Sequence, residues 1–549
     1  MIVARRVYLY VIAYAALVMF SSGLIGLIQI WLDWLARSLA GAEAVSLSIR
    51  GSISLFGALA LIGLPTWLAH WWLSQRAAVR NESGERTSAI RALFLYFTLF
   101  FGAVTIFTCV WMVLRLVLRF VLDTQNGRRA TLLEMPWPLA ILLVTALFWW
   151  YYRRVLLEDR SFAAETGARC TLRRWLIYGL ALIGLLAALN SEQALIEQVW
   201  ETVTTRFSNG KWVLAGGFQT LASQVAGLTT GTALWFLAWG ASSTWMRGSA
   251  DLDAEERSVL RKVYLYVALF VAVSWTVWAA GGVLYWLLRL TVIPREAAGE
   301  SLLDDLGSAI ATVAAFGLSW LYHARVIRQE AARSAEWGGQ ASIRWTYGYL
   351  VAFIGLCAFA GGLAGALSTV LDTLVQRATV SGTTWPLDRL CLLATLMLVG
   401  GPVWLIPWRP LMAEATDARA ARSLSRRIYL FLTFAGSVLS ILGAGAYGAY
   451  QLLRLMLGEQ WTVRQTTDAI VALSIVGVAA LFLAYHLRVY LADGRARAAA
   501  TPAEPPRTFE TTLTLIAPTQ ALIEAARESL TAALPTGVEA DWGETRSRT

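Results

Sequence analysis

All three histidines of this chain, His70, His323 and His486, fall in one register of a repeated segment. Tyr152, Ala238 and Pro407 hold the same position in the other copies. A helical His at membrane depth can ligate a haem or chlorophyll, or carry a proton, so His70, His323 and His486 are the ligand candidates. Their register falls at the cytoplasmic boundary, beside Trp67 and Trp71 at helical spacing, where an interfacial aromatic belt also accounts for them. The four cysteines, Cys109, Cys170, Cys357 and Cys391, are scattered without the paired spacing of a zinc site or a disulfide framework. The sequence contains no phosphate loop, nucleophile elbow or paired-carboxylate site. No cofactor or metal is implied, and the expectation is a protein that is not an enzyme.

A second set of chemically capable residues alternates in sign. Asp33, Arg119, Glu201, Arg289, Asp372 and Arg454 each lie 28 residues beyond the first Arg of a recurring signature. A carboxylate near an apolar boundary is costly unless paired. The expected pairs join neighbouring copies: Asp33 with Arg119, Glu201 with Arg289, Asp372 with Arg454. Pairing within a helix, Asp33 with Arg37, is the rival.

The signature itself is basic and aromatic. Its copies begin at Arg5, Arg91, Arg173, Arg261, Arg344 and Arg426, at spacings of 86, 82, 88, 83 and 82 residues. A fixed period carrying one pattern marks an internal repeat. Each copy stands where the chain enters an apolar run. The expected role is interface anchoring: the arginines meet lipid phosphates, and the tyrosines Tyr8, Tyr10, Tyr96, Tyr178, Tyr264, Tyr266, Tyr347, Tyr349 and Tyr429 sit at headgroup level.

The elements that must carry these residues are membrane helices. The chain of 549 residues is 57% hydrophobic and 15% charged, with a mean hydropathy of +0.56; a soluble domain carries about 25% charged residues. Two apolar segments per copy give twelve expected helices, near 7–31, 52–74, 92–118, 137–156, 174–197, 225–246, 263–288, 305–327, 346–370, 388–408, 428–454 and 468–490. The fold class is therefore all-α membrane protein. Lys and Arg number 32 on the N-terminal side and the even-numbered connections, against 14 on the odd-numbered ones. This asymmetry puts both termini in the cytoplasm of a bacterial cell, in its inner membrane. It also accounts for the net charge of +10 without nucleic acid.

The alternation in sign makes the true period two repeats. The expected organisation is three four-helix membrane units, 1–162, 163–335 and 336–497, followed by a linker and short cytoplasmic tail, 498–549. In the tail, 508–516 and 538–542 read as strands and 519–534 as an amphipathic helix. Mid-helix glycines (Gly23 and Gly26, Gly281 and Gly282, Gly361 and Gly365, Gly443, Gly445 and Gly448) are expected to mediate close packing. Pro65 and Pro402 are candidate helix breaks.

At the signature and at Pro65-Thr-Trp67-Leu-Ala-His70-Trp71, the sequence resembles a bacterial family of tandem two-helix membrane repeats, catalogued as a domain of unknown function. The resemblance covers residues 5 to about 495 and implies no activity. Two functions fit these readings. One is a non-enzymatic scaffold or accessory subunit, contacting the lipid bilayer and a protein partner through cytoplasmic loops or the tail. The other is a transporter or channel with pseudo-threefold internal symmetry.

Overall fold

A computed structural model describes residues 2–41, 49–80, 82–122, 125–242, 255–293, 302–333, 338–379, 384–415, 418–460, 462–499, 517 and 519–533. The described residues are helical and include no strand. In order the helices are α1 (Ile2–Ala40), α2 (Ile49–Val79), α3 (Ala89–Leu122), α4 (Gln125–Glu134), α5 (Pro136–Phe162), α6 (Ala168–Asn209), α7 (Gly217–Ser242), α8 (Val259–Val292), α9 (Leu302–Arg333), α10 (Gly338–Thr379), α11 (Leu387–Glu414), α12 (Leu424–Met456), α13 (Val463–Ala499) and α14 (Gln520–Ala533). The turn Ala418–Ala421 is also helical. Each expected span has its helix. Among the described residues, eleven helices are long and apolar enough to cross a membrane. Of the helices that match expected spans, the one not among them is α7, whose 26 described residues include Gly227, Thr229, Thr230, Gly231 and Thr232.

Apart from α7, which is described to Ser242 while its expected span runs to 246, the helices exceed the expected spans at both ends. The 39 residues of α1 extend about 58 Å, against a hydrocarbon core of about 30 Å. Hydropathy marks only the stretch that lipid selects, whereas backbone hydrogen bonding carries the helix on into the flanking Arg and Tyr. Pro65 lies inside α2, and Pro402, Pro407 and Pro410 inside α11. Neither helix is divided there.

The chain separates into two compact units, residues 1–491 and 492–549, six residues ahead of the expected boundary at 498. In the second unit the expected amphipathic helix is present as α14. The two expected strands, 508–516 and 538–542, lie outside the described residues.

Within the first unit, α1 packs on α2, α6 on α7 and α10 on α11. Each pair crosses at a reciprocal glycine contact. A Cβ added at Gly63, Gly231 or Gly400 would lie 2.6 Å from the backbone nitrogen of Phe20, Ala188 or Phe359 respectively. Gly23, Gly184 and Gly355 make the return contact, on Ala60, Trp235 and Trp404. Gly63, Gly231 and Gly400 each stand four residues before Trp67, Trp235 and Trp404, so one register recurs three times. Where lipid replaces water, close backbone approach supplies the van der Waals contact that holds helices together. Gly26 and Gly365 also pack tightly, on Phe56 and Leu393. The other glycines singled out for packing behave differently. Gly282, Gly361, Gly443 and Gly445 have nothing within 4 Å of an added Cβ, and Gly281 and Gly448 have only loose neighbours.

Gly231→Leu is expected to destabilise the protein by about 1–3 kcal/mol or more, and Gly361→Leu by less than about 0.5 kcal/mol. Unfolding in detergent micelles, followed by circular dichroism, measures both.

Candidate functional site

The signature residues do not form one class. Arg5 and Tyr8 on α1 are exposed, as an interface anchor requires. Arg91, Arg261 and Arg426, which open α3, α8 and α12, are buried. So are Tyr10, Tyr96, Tyr178, Tyr264, Tyr266, Tyr349 and Tyr429; Arg173, Arg344 and Tyr347 are half-buried. Where the sequence leads to an expectation of phosphate or water, Arg91, Arg261, Arg426, Tyr10, Tyr178 and Tyr349 have hydrogen-bond partners within the protein. A guanidinium removed from water demands a counter-charge and donor-by-donor satisfaction, and for Arg91 and Arg261 the structure supplies both.

On α3, Arg91 Nε donates to Asp159 Oδ2 at 2.6 Å, Nη2 donates to Gln75 Oε1 at 2.8 Å, and Nη1 donates to the Tyr10 hydroxyl at 3.4 Å. Its guanidinium carbon lies 5.7 Å from the Trp71 ring centre. On α8 the same arrangement recurs. Arg261 Nε donates to Glu330 Oε1 at 2.8 Å, Nη1 donates to the Ser242 carbonyl at 2.7 Å, and the guanidinium lies 4.6 Å from the Trp239 ring centre. Lys262 adds a second bond to Glu330 at 2.7 Å, and Tyr178 hydrogen-bonds Arg261. On α12, Arg426 Nη1 donates to the Tyr349 hydroxyl at 3.0 Å, with Trp408 6.0 Å away. In sequence Asp159, Glu330 and Asp493 each stand seven residues after Tyr152, His323 and His486.

The bridging tyrosine faces two ways. Tyr10 accepts from Arg91 and donates to Glu85 Oε1 at 2.7 Å, and Glu85 also takes Arg6 at 2.6 Å. Tyr178 donates to Glu255 at 3.0 Å, which takes Arg173 at 2.8 Å and Arg174 at 3.1 Å. Glu414 receives Arg344 at 2.7 Å and the Trp345 indole at 2.8 Å. Each Arg–Tyr–carboxylate network thus joins helices distant in sequence at their signature ends. Tyr96 meets Glu165, and the Tyr266 and Tyr347 rings pack 5.2 Å apart.

One turn deeper lies an aromatic layer. Trp71, Trp239 and Trp408 donate their indole N–H to Tyr151, Tyr322 and Tyr485 at 2.6, 2.7 and 2.8 Å. Trp235 and Trp404 donate to Tyr264 and Tyr429 at 2.9 and 3.2 Å. These hydroxyls lie 3.4 Å from His323 Nε2 and 3.1 Å from His486 Nε2. Nδ1 of each His is 2.8 or 2.9 Å from the carbonyl four residues earlier. A carbonyl only accepts, so Nδ1 carries the proton and Nε2 accepts from tyrosine. Around α3 the partners exchange: Phe94 stands where Tyr264 and Tyr429 do, and Tyr152 stands in place of His. The Tyr152 hydroxyl then takes the Trp67 N–H at 2.9 Å.

This arrangement separates the ligand candidates. His323 and His486 are fully buried, and both ring nitrogens are engaged. Their Nε2 lone pairs would have to leave tyrosine before binding iron or magnesium. His70 is half-buried, with Nδ1 on the Thr66 carbonyl at 2.8 Å. No group of three or more His, Cys, Asp or Glu side chains among the described residues is placed to hold a metal ion. The four cysteines are unbridged.

Arg119, Arg289 and Arg454 bond carboxylates other than the expected Asp33, Glu201 and Asp372. Arg119 bonds Glu134 at 3.1 Å, Arg289 bonds Asp388 at 2.5 Å, and Arg454 meets Glu459. Asp33 is held on its own helix by Gln29 and Arg37, as in the rival pairing. Asp372 accepts from Gln376 at 2.8 Å and from Thr467 at 2.6 Å. Glu134 closes α4, Asp388 opens α11 and Glu459 follows α12, each within bonding reach of one of these arginines.

Exchange of the Tyr–His pair has a measurable consequence. Converting the α12–α13 pair to its α3–α5 form, with Tyr429→Phe and His486→Tyr together, should preserve stability better than the sum of the single changes. The expected coupling is about 0.5–3 kcal/mol, read from a thermal-unfolding cycle in detergent.

The profile of the family described as Domain of unknown function (DUF5671) matches the chain three times, over residues 6–135, 201–318 and 344–481. Comparison with curated proteins and with solved structures returns no match. The three matches together span more than half of the sequence, in agreement with the tandem recurrence of the Arg–Tyr–Trp networks, and the chain belongs to the DUF5671 family.

Proposed function

We propose that this chain is a twelve-span membrane protein of three four-helix units, 1–162, 163–335 and 336–497, and that it serves as a non-enzymatic scaffold or accessory subunit. In this reading α7 is the remaining span; its 26 residues reach about 39 Å. Both termini face the cytoplasm from a bacterial inner membrane, on the side where Lys and Arg accumulate. Protein partners dock on the cytoplasmic loops or the tail.

One observation carries the reading. The buried polar side chains at the signature ends form closed networks, Arg91 with Asp159 and Arg261 with Glu330, and these tie helices together. Transport pathways present ionisable groups to a passing solute; here the ionisable groups are bound to one another. The alternative, a transporter or channel with pseudo-threefold symmetry, draws on a cavity of about 400 Å³ between α12 and α13, lined in part by Tyr447 and Asp468. Tyr447 donates to Asp468 at 2.8 Å. At the same register Glu134 is bonded to Arg119, so the carboxylate is not presented alike in each copy.

Purified protein reconstituted in liposomes should give fluxes of monovalent cations, chloride and protons equal to those of protein-free vesicles. A saturable flux abolished by Asp468→Asn would establish the alternative.

A further inference from the structure

The arginine networks of Arg91, Arg261 and Arg426 lie within each proposed unit; a second kind of contact, to which Tyr96–Glu165 and Tyr266–Tyr347 belong, joins one unit to the next. Helix α3 packs on α6 and α7, and α8 packs on α10 and α11. Counted from the signature Arg, the helix face used is the same. Five residues on stand Tyr96, 3% exposed, and Tyr266, 7% exposed. Nine residues on, Phe100 reaches within 2.9 Å of a Cβ built on Gly179. Twenty residues on, Trp111 donates to the Ser223 carbonyl at 3.2 Å, and Gly281 lies against Thr395 and Val399.

On α12 the corresponding face is open. Phe431, at the register of Tyr96 and Tyr266, is 69% exposed. Leu442, Ala446 and Ala449 continue the stripe and are exposed as well. The receiving face is open at the other end of the chain. Tyr8, at the register of Tyr347, is 58% exposed. Ile62 on α2 is 57% exposed, whereas Thr230, its counterpart on α7, is 7% exposed. The three units therefore form an open series, with one unused trailing face and one unused leading face.

We propose that these two faces bind each other between copies of this chain, head to tail, with α12 of one molecule seated on α1 and α2 of the next. The surfaces are the third instance of an interface the chain already makes twice, so the occupant that fits them is another α1–α2 pair. Side-chain volumes support the match. Where Phe100 meets Gly179, the open faces carry Ala435 opposite Val11, a small residue where the large one stood and a larger one where Gly stood. Small residues on α12, including Gly436 and Ala446, permit the close approach that membrane helices use to associate. A repeated heterologous contact extends a series until it closes or is capped.

The inference rests on the three-unit reading, and the test separates the two. In a background with the four native cysteines replaced by Ala, Tyr266→Cys with Tyr347→Cys in one chain is the internal control. A short bis-maleimide should join these residues within the chain. Tyr8→Cys and Phe431→Cys are placed in separate, differently tagged chains, co-expressed and treated in native membranes. The expected result is a covalent species carrying both tags, lost when Ala435→Trp is added to the Phe431→Cys chain. Control crosslinking without the two-tag species would overturn the inference and leave lipid as the cover of both faces; so would capture of another protein at these positions. Failure of the control would overturn the three-unit reading itself.

Discussion

A guanidinium buried among helices in an apolar medium must be neutralised where it lies. Arg91, Arg261 and Arg426 occupy that position at the start of α3, α8 and α12. Removal of a charge from water costs several kcal/mol even after relaxation. The pairings of Arg91 with Asp159 and Arg261 with Glu330 offset that cost only when α3 meets α5 and α8 meets α9 in one register. The tyrosines Tyr10, Tyr178 and Tyr349 then fix α1, α6 and α10 against the same arginines. Specificity of helix arrangement follows from charge satisfaction, and close packing supplies the remainder.

Packing and polar networks divide the labour along the membrane normal. At mid-helix, reciprocal glycine contacts such as Gly231 with Ala188 bring two backbones together without regard to charge. At the signature ends, aromatic rings shield the ion pairs: Trp71, Trp239 and Trp408 lie over the arginines and anchor their own N–H groups on tyrosine. The exchange of Tyr–His for Phe–Tyr between α8–α9 and α3–α5 shows that the constraint is on the hydrogen-bond sequence. An indole N–H needs an acceptor, and either helix can provide it.

Much of this architecture is legible in the sequence. The six signatures and the helices follow from apolar runs and the spacing of Arg, Tyr and Trp. The burial of Arg91, Arg261 and Arg426 does not, because Arg and Tyr at the start of an apolar run have the composition of an interface anchor, and the counter-charge lies on a helix about 68 residues away. A signal was available: Asp159 and Glu330 recur at a fixed seven residues past Tyr152 and His323. Glu85 and Glu255 likewise precede Arg91 and Arg261 by six. The partners of Arg119, Arg289 and Arg454 were hidden for a different reason. Glu134 closes the short helix α4, Asp388 opens α11 and Glu459 follows α12, three different placements that no single period describes.

The central claim is that the buried arginine is held by its carboxylate and that neither belongs in the bundle alone. A double-mutant cycle on Arg91→Met and Asp159→Leu, read as unfolding free energy in a defined detergent, tests it most directly. Each single change should cost about 3–5 kcal/mol, and the pair together far less than their sum. Additive losses, or single changes each costing under about 1 kcal/mol as an exposed pair would, would contradict it.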